Sequence, residues 1–359
     1  MKSLTHGLLA TLVSSLVACG TNVVDFNGPP TGVGPDAGFP GSQPGPPTVI
    51  STSPANNDIN VSVNRRVIAT FSKAMDPLTI TTTTFTLAQG ATPVPGTVTY
   101  AATEATATFT PTSPLAISTT YTAKITTGAK DTTGQALANN FTWTFTTAAC
   151  SQAPVPLRTA ASFAVLASST VTNTGPTIVT GNLGVSPGTA VTGFPPGTVV
   201  NGQQFTGVGS PAGQAEADLT TAFNDAAGRT LCAVTVAGNL GGQTLGPGLY
   251  KSTSTLAISS GDLTLDANGE PDAVFIFQMA STLTTTSGRA VILSGGAKAS
   301  NIYWQVGSSA TLGSTSAFAG TIMADQAITL NTGATLNGRA LARIAAVALD
   351  TNTVTVPAN

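Results

Sequence analysis

The sequence predicts an all-β protein whose C-terminal half is a parallel β-solenoid. Three observations carry this expectation. Roughly one residue in six is Thr, a β-branched residue that fits a pleated strand. The 38 Gly and 23 Pro supply turn signals between short runs. A Thr-Leu pair recurs at Thr244-Leu245, Thr264-Leu265, Thr282-Leu283, Thr311-Leu312 and Thr329-Leu330, and Ala348-Leu349 continues it. From Leu245 the intervals are 20, 18, 29, 18 and 19 residues, the length of one short-turn coil, with the 29 marking an insertion. The Leu residues are expected to stack inward as one ladder and the preceding Thr to face outward, because strand side chains alternate.

Charge narrows the function. Only 8% of residues are charged and the net charge is −2, so the Lys/Arg needed to neutralise phosphates is missing and nucleic acid is not an expected partner. A hydrophobic content of 41% is enough to fold. Residues 1–18 read as a lipoprotein signal peptide: Lys2 gives the positive start, and Leu8 to Val17 form an apolar run too short to span a bilayer. Leu16-Val17-Ala18-Cys19 has the form of a lipobox, with Cys19 the expected site of acylation and the membrane a partner through that anchor. The expected localisation is therefore export to the cell surface, at the outer membrane in a Gram-negative host, or secretion. The single His, His6, leaves with the signal, which removes His-dependent triads and most transition-metal sites. Neither a cofactor nor a metal is expected.

Residues 19–46 are a Gly/Pro-rich tether with no means of burying a core. In residues 47–147 short runs such as VIATFS, GTVTY, ATATFTP and FTWTFTT alternate with turns, the pattern of a β-sandwich. Residues 148–156 read as a linker. Cys150 and Cys232 remain after Cys19 is set aside, and in an oxidising compartment such a pair is expected as a disulfide. One helix stands out from about Pro211 to Gly228. Ala212, Ala215, Leu219, Ala222, Phe223 and Ala226 fall on one face, with Glu216, Asp218 and Asp225 opposite.

Residues 47–147 resemble bacterial Ig-like domains. Ser53-Pro54, the run Phe71-Ser72-Lys73-Ala74-Met75-Asp76-Pro77, Tyr121-Thr122, Lys130-Asp131 and the closing Trp143-Thr144-Phe145-Thr146-Thr147 carry the likeness. Residues 157–359 resemble the β-helical ice-binding protein family. The carriers include Phe163-Ala164-Val165-Leu166-Ala167, Gly181-Asn182-Leu183-Gly184-Val185, Ala273-Val274-Phe275-Ile276-Phe277-Gln278, Trp304-Gln305-Val306-Gly307 and Gly338-Arg339-Ala340-Leu341-Ala342, in order along the domain. This second resemblance implies a discontinuous right-handed β-helix with one long helix packed alongside. It also implies a protein that adsorbs to ice; a monomer is expected, and with no histidine in the mature chain and no catalytic cluster of carboxylates, no enzymatic activity is expected either.

A T-[AG]-x-[TN] pattern used by some relatives occurs at Thr174 to Thr177, Thr189 to Thr192 and Thr332 to Thr335; its match at Thr221 to Asn224 falls on the helix. Two solenoid columns contain no charge: Thr264, Thr282, Thr311, Thr329 and Ala348 before each Leu, and Ala267, Thr285, Ser314, Thr332 and Thr351 two after it. The candidates for the ice face are thus Thr174, Thr177, Thr189, Thr192, Thr264, Thr282, Thr285, Thr311, Ser314, Thr329, Thr332, Thr335 and Thr351. The column directly after Leu contains Asp266 and Asp350 and is the poorer candidate. The alternative reading is a surface adhesin for polysaccharide or another non-ice ligand. The acidic group Asp262, Asp266, Glu270 and Asp272 reads as a solvated turn, and Arg339 and Arg343 as structural pairs. Of the neighbours Tyr303 and Trp304, one is expected in the core.

Overall fold

The computed structural model describes residues 45–358, so the signal peptide, Cys19 and tether residues 20–44 lie outside the described residues. The region from Val49 to Thr147 forms a four-stranded and a five-stranded sheet around one apolar core. Alternation drives it: in Phe141–Thr147 the residues Trp143, Phe145 and Thr147 are buried, while the alternating Thr142, Thr144 and Thr146 face outward. Phe85, Phe109 and Trp143 pack with ring centroids 5.8–5.9 Å apart.

The rest is a parallel β-solenoid of three sheets. A twelve-stranded sheet begins each coil, as in Ile302–Val306; an eight-stranded sheet follows, as in Ala310–Leu312. The third side is built in two pieces. Its lower piece is a separate sheet of Thr244–Leu245, Leu263–Asp266 and Val291–Ser294. Its upper piece joins the short strands Thr198–Val200, Ile178–Thr180 and Thr353–Thr355 to the leading halves of Thr335–Ala342 and Ala317–Ala324, two long strands that pass the corner without a loop. Gly320 permits this with φ +106°, and Gly338 stacks on it so closely that a Cβ there would meet the Gly320 carbonyl.

Coil length follows from this construction. Tyr250, Phe277 and Trp304 stack at intervals of 27 residues, whereas Trp304, Ile322 and Ala340 stack at intervals of 18. The expected single Leu ladder is therefore two ladders spliced in the sequence. Leu245, Leu265 and Leu293 stack on the lower third side, and Leu312, Leu330 and Leu349 stack behind the eight-stranded sheet. Inside, Tyr250, Phe277, Trp304 and Phe318 form an aromatic stack with centroids 5.1, 4.0 and 5.0 Å apart. Both members of the expected pair are buried: Trp304 inside the coil, Tyr303 beneath the helix.

The winding is discontinuous. The segment Phe163–Ala167 pairs with the last coil at Ala340 to Ala342, so the N-terminal coils close the top of a stack that the C-terminal coils build from below. The helix Pro211–Gly228 carries the chain between the two ends. Ser210 accepts from the Ala212 amide, and the expected apolar stripe is buried against Leu166, Leu249, Ile276, Met323 and Leu341 of the twelve-stranded sheet. Asp218, expected on the outer side, is buried instead. The Thr159 hydroxyl donates to it at 2.6 Å and holds its carboxyl below the usual range, fastening the 3-10 turn Arg158–Ser162 to the helix. Arg339 and Arg343 are structural pairs: Arg339 donates to the Ala161 carbonyl and Thr321 hydroxyl, and Arg343 to Asp325 at 2.6 Å. Cys150 is bonded to Cys232, with the two Cα atoms 5.6 Å apart.

Candidate functional site

The helix covers the first side of each coil, formed by strands such as Phe163–Ala167, Phe275–Met279 and Ile302–Val306 of the twelve-stranded sheet, and leaves the eight-stranded sheet as the longest uninterrupted bare face among the described residues. Its strands run Ala190–Thr192, Thr170–Thr174, Val347–Asp350, Ile328–Leu330, Ala310–Leu312, Leu283–Thr285, Leu256–Ile258 and Gly238–Asn239. Parallel strands repeat at about 4.8 Å, so eight of them extend about 34 Å. Inward positions are filled by Val171, Val347, Leu349, Ile328, Leu330, Leu312 and Ile258, which fixes the register: a one-residue slip would turn this apolar set outward.

Register then determines the outer surface. Its central column is Thr192, Thr172, Ala348, Thr329, Thr311, Thr284, Ala257 and Asn239. Two residues earlier on each strand the same register gives Ala190, Thr170, Ala346, Ala327, Ser309, Thr282 and Thr255. Neither column contains a charge. Every member is a small or β-branched side chain, apart from Asn239 at the lower end. That residue folds back: its carboxamide oxygen accepts from the Gly241 and Ser259 amides, while at the upper end Asn173 donates to the Gly175 and Gly193 carbonyls.

Hydroxyls at the neighbouring corner are occupied by protein. Thr332 and Thr351 both donate to Asp350, and Thr315 donates to the Ser314 carbonyl. The hydroxyls of Thr172, Thr192, Thr284, Thr311 and Thr329 take no protein partner among the described residues and remain for water. Branching at Cβ restricts their χ1, so the surface offers ordered hydroxyls and methyls at low entropic cost.

The candidates read from sequence separate on this geometry. Thr192, Thr282, Thr311 and Thr329 lie in the two columns. Thr174 and Thr189 flank them, and Ser314, Thr332 and Thr351 line the corner. Thr335 lies beyond that corner on the third side, and Thr264 sits in the separate lower sheet between Thr244 and Ile292. Two candidates are corrected outright. Thr177 is fully buried and accepts from the Asn352 amide; Thr285 is buried and accepts from the Gly313 amide at 2.8 Å. Strand alternation explains Thr285, since a residue two beyond an inward Leu faces inward wherever the strand continues. Ala267 is buried likewise. The hydroxyl members that the pair count missed are Thr172 and Thr284 in the central column and Thr170, Ser309 and Thr255 in the other; Thr284 follows once a coil of 27 residues replaces one of 18.

The acidic turn is also corrected. Glu270 and Asp272 are not simply solvated: Arg65 lies 3.8 and 3.9 Å from them, and Lys298 lies 3.4 Å from Asp272. Burial pushes the Glu270 carboxyl above its ordinary range, against the pull of Arg65. Asp262 pairs with Arg289 at 3.6 Å, and Asp266 accepts from the Asn268 amide.

Residues 43–147 match the model of a bacterial Ig-like domain, and residues 165–355 match that of the ice-binding-like family. An ice-binding protein of Nostoc is 48% identical over 199 residues, covering 55% of this chain and 72% of its own. One of Flavobacterium frigoris is 40% identical over 215 residues, covering 56% and 76%. The crystal structure of an ice-binding protein from an Antarctic biological consortium superposes with a TM-score of 0.57 and 58% identity, covering 58% of this chain and 93% of that one. On the family model's span and these relatives, the chain belongs to the ice-binding-like family.

Proposed function

We propose that this protein adsorbs to ice through the eight-stranded face and thereby inhibits ice growth and recrystallisation or holds its bearer on ice. The observation that carries the reading is the pair of uncharged Thr/Ser/Ala columns held in register across eight parallel strands. Adsorption requires a surface to order water into an ice-like layer. A charged group would impose its own hydration shell, whereas a Thr offers one hydroxyl and one methyl in a fixed orientation. Each contact is weak; many made together from a preorganised plane give long residence. No chemical step is involved, and one copy suffices.

The relatives named above are ice-binding proteins, which supports the reading, and no observation favours polysaccharide. We read the N-terminal two-sheet domain as an Ig-like sandwich and the solenoid as right-handed. Lipidation at Cys19 and display at the cell surface are proposed on the lipobox. Thermal hysteresis and ice-recrystallisation assays on the purified chain test the function. Activity in both is expected, and absence of both overturns it.

A further inference from the structure

We infer that the Ig-like domain is a rigid mount that holds the eight-stranded face pointing away from the place where the chain enters that domain. The functional sense of this rests on the ice-binding reading, but the geometry does not. One pole of the domain meets the solenoid. There the Ser62 amide donates to Glu270, Arg65 lies between Glu270 and Asp272, and Arg65 is itself only 8% exposed. The connection is fastened from both sides. Cys150 is bonded to Cys232, Gln152 donates to the Leu231 carbonyl at 3.0 Å, and Arg229 donates to the carbonyls of Ala153 and Pro154.

The contacted turn, which holds Glu270 and Asp272, joins the lower third-side sheet to the helix-covered sheet. In a three-sided coil the corner between two sides lies opposite the third, here the eight-stranded face. At the other pole of the Ig-like domain the entering chain is tied down: Thr48 and Ser72 exchange hydrogen bonds of 2.9 and 3.0 Å, and Lys73 donates to the Gly45 carbonyl. Entry point, domain, docking corner and bare face therefore follow one another in that order. Arg65 is a positioning residue in this arrangement and touches no part of the face.

The test is a distance measurement on the full chain, with spin labels introduced as non-natural residues at Glu104 and Ser254 so that the cysteines are untouched. A single narrow distribution is expected. Combining Arg65→Glu with Cys150→Ser and Cys232→Ser should broaden it, and adding Glu270→Arg to that triple variant should narrow it again. Thermal hysteresis in solution should be unchanged in the triple variant. Capture of ice by beads carrying protein coupled through its N-terminal side should fall severalfold. A broad distribution in the wild-type chain, or equal bead capture by the triple variant, overturns the mount. Loss of hysteresis in the wild-type chain would instead strike the ice reading and leave the distance result standing.

Discussion

The two bare sides of the solenoid share a corner and a repertoire of residues, but only one of them is continuous. Across the eight-stranded face every coil contributes a strand in the same register. Across the third side, five upper strands carry the outward columns Thr198, Ile178, Thr353, Thr335 and Ala317, then Val200, Thr180, Thr355 and Asn337, with Ala319 buried at the lower end of the second. Below them the sheet parts. Only the Ala290 to Ala317 bridge spans the break, and a depression of about 500 Å³ opens there, lined by Val291, Leu293, Phe318 and Leu336 among others. The cause is the change from 27-residue to 18-residue coils, which reroutes the third side at Gly320 but leaves the eight-stranded side untouched. Absence of charge is thus shared by the two upper surfaces, while continuity separates them. For adsorption to a crystal, where contacts must be made together, continuity is the stronger requirement.

The largest expected effect comes from placing charge in the continuous face. Thr329→Asp should reduce thermal hysteresis by about tenfold, because one carboxylate with its own water shell interrupts the column at its centre. The same change at Thr355 should leave most of the activity, and comparable losses at both sites would erase the distinction between the sides.

Next in size are changes that alter stability without touching the surface. Thr285→Val keeps the shape but leaves the Gly313 amide unpaired, and should cost about 1–3 kcal/mol in chemical denaturation. Hysteresis per folded molecule should be unchanged; a loss in proportion to the ice-face variants would return Thr285 to the outer surface.

Glu216 tests the helix-covered side. Burial raises its carboxyl to about 8, opposed by Arg343. The folded state then holds a proton that the unfolded chain has released, so stability falls as pH rises from about 4.5 through 8. Glu216→Gln should remove that decline and stabilise the protein at pH 9 by on the order of 1–3 kcal/mol, with little change at pH 4. Parallel melting-temperature profiles for the two proteins would contradict it. The smallest effect is expected from Thr264→Tyr. This Thr precedes a Leu as Thr311 does, yet it belongs to the lower third-side sheet, and hysteresis should not change measurably.

What the sequence made legible was local. The helix announces itself through Pro211 and the spacing of Ala215, Leu219 and Ala222, and Thr311 and Thr329 reveal their column through alternation within one strand. What stayed hidden depends on partners far along the chain. Asp218 is buried because Thr159, 59 residues earlier, donates to it. Thr177 is internal because the Asn352 amide, 175 residues later, needs an acceptor. Arg65 gives no signal beside Glu270, since nothing in either neighbourhood indicates docking. The Thr-Leu count failed at Thr282-Leu283 for a different reason: two ladders with different coil lengths interleave, and a pair sitting two positions out of register looks like a member of either.

Whether the continuous face, and not its neighbour, meets ice is decided by comparing Thr311→Tyr with Thr353→Tyr, each verified as folded by its melting temperature, in a thermal hysteresis measurement at equal concentration. A loss of about fivefold or more is expected for Thr311→Tyr, and nearly full activity for Thr353→Tyr. Full activity in Thr311→Tyr, or an equal loss in both, would contradict it.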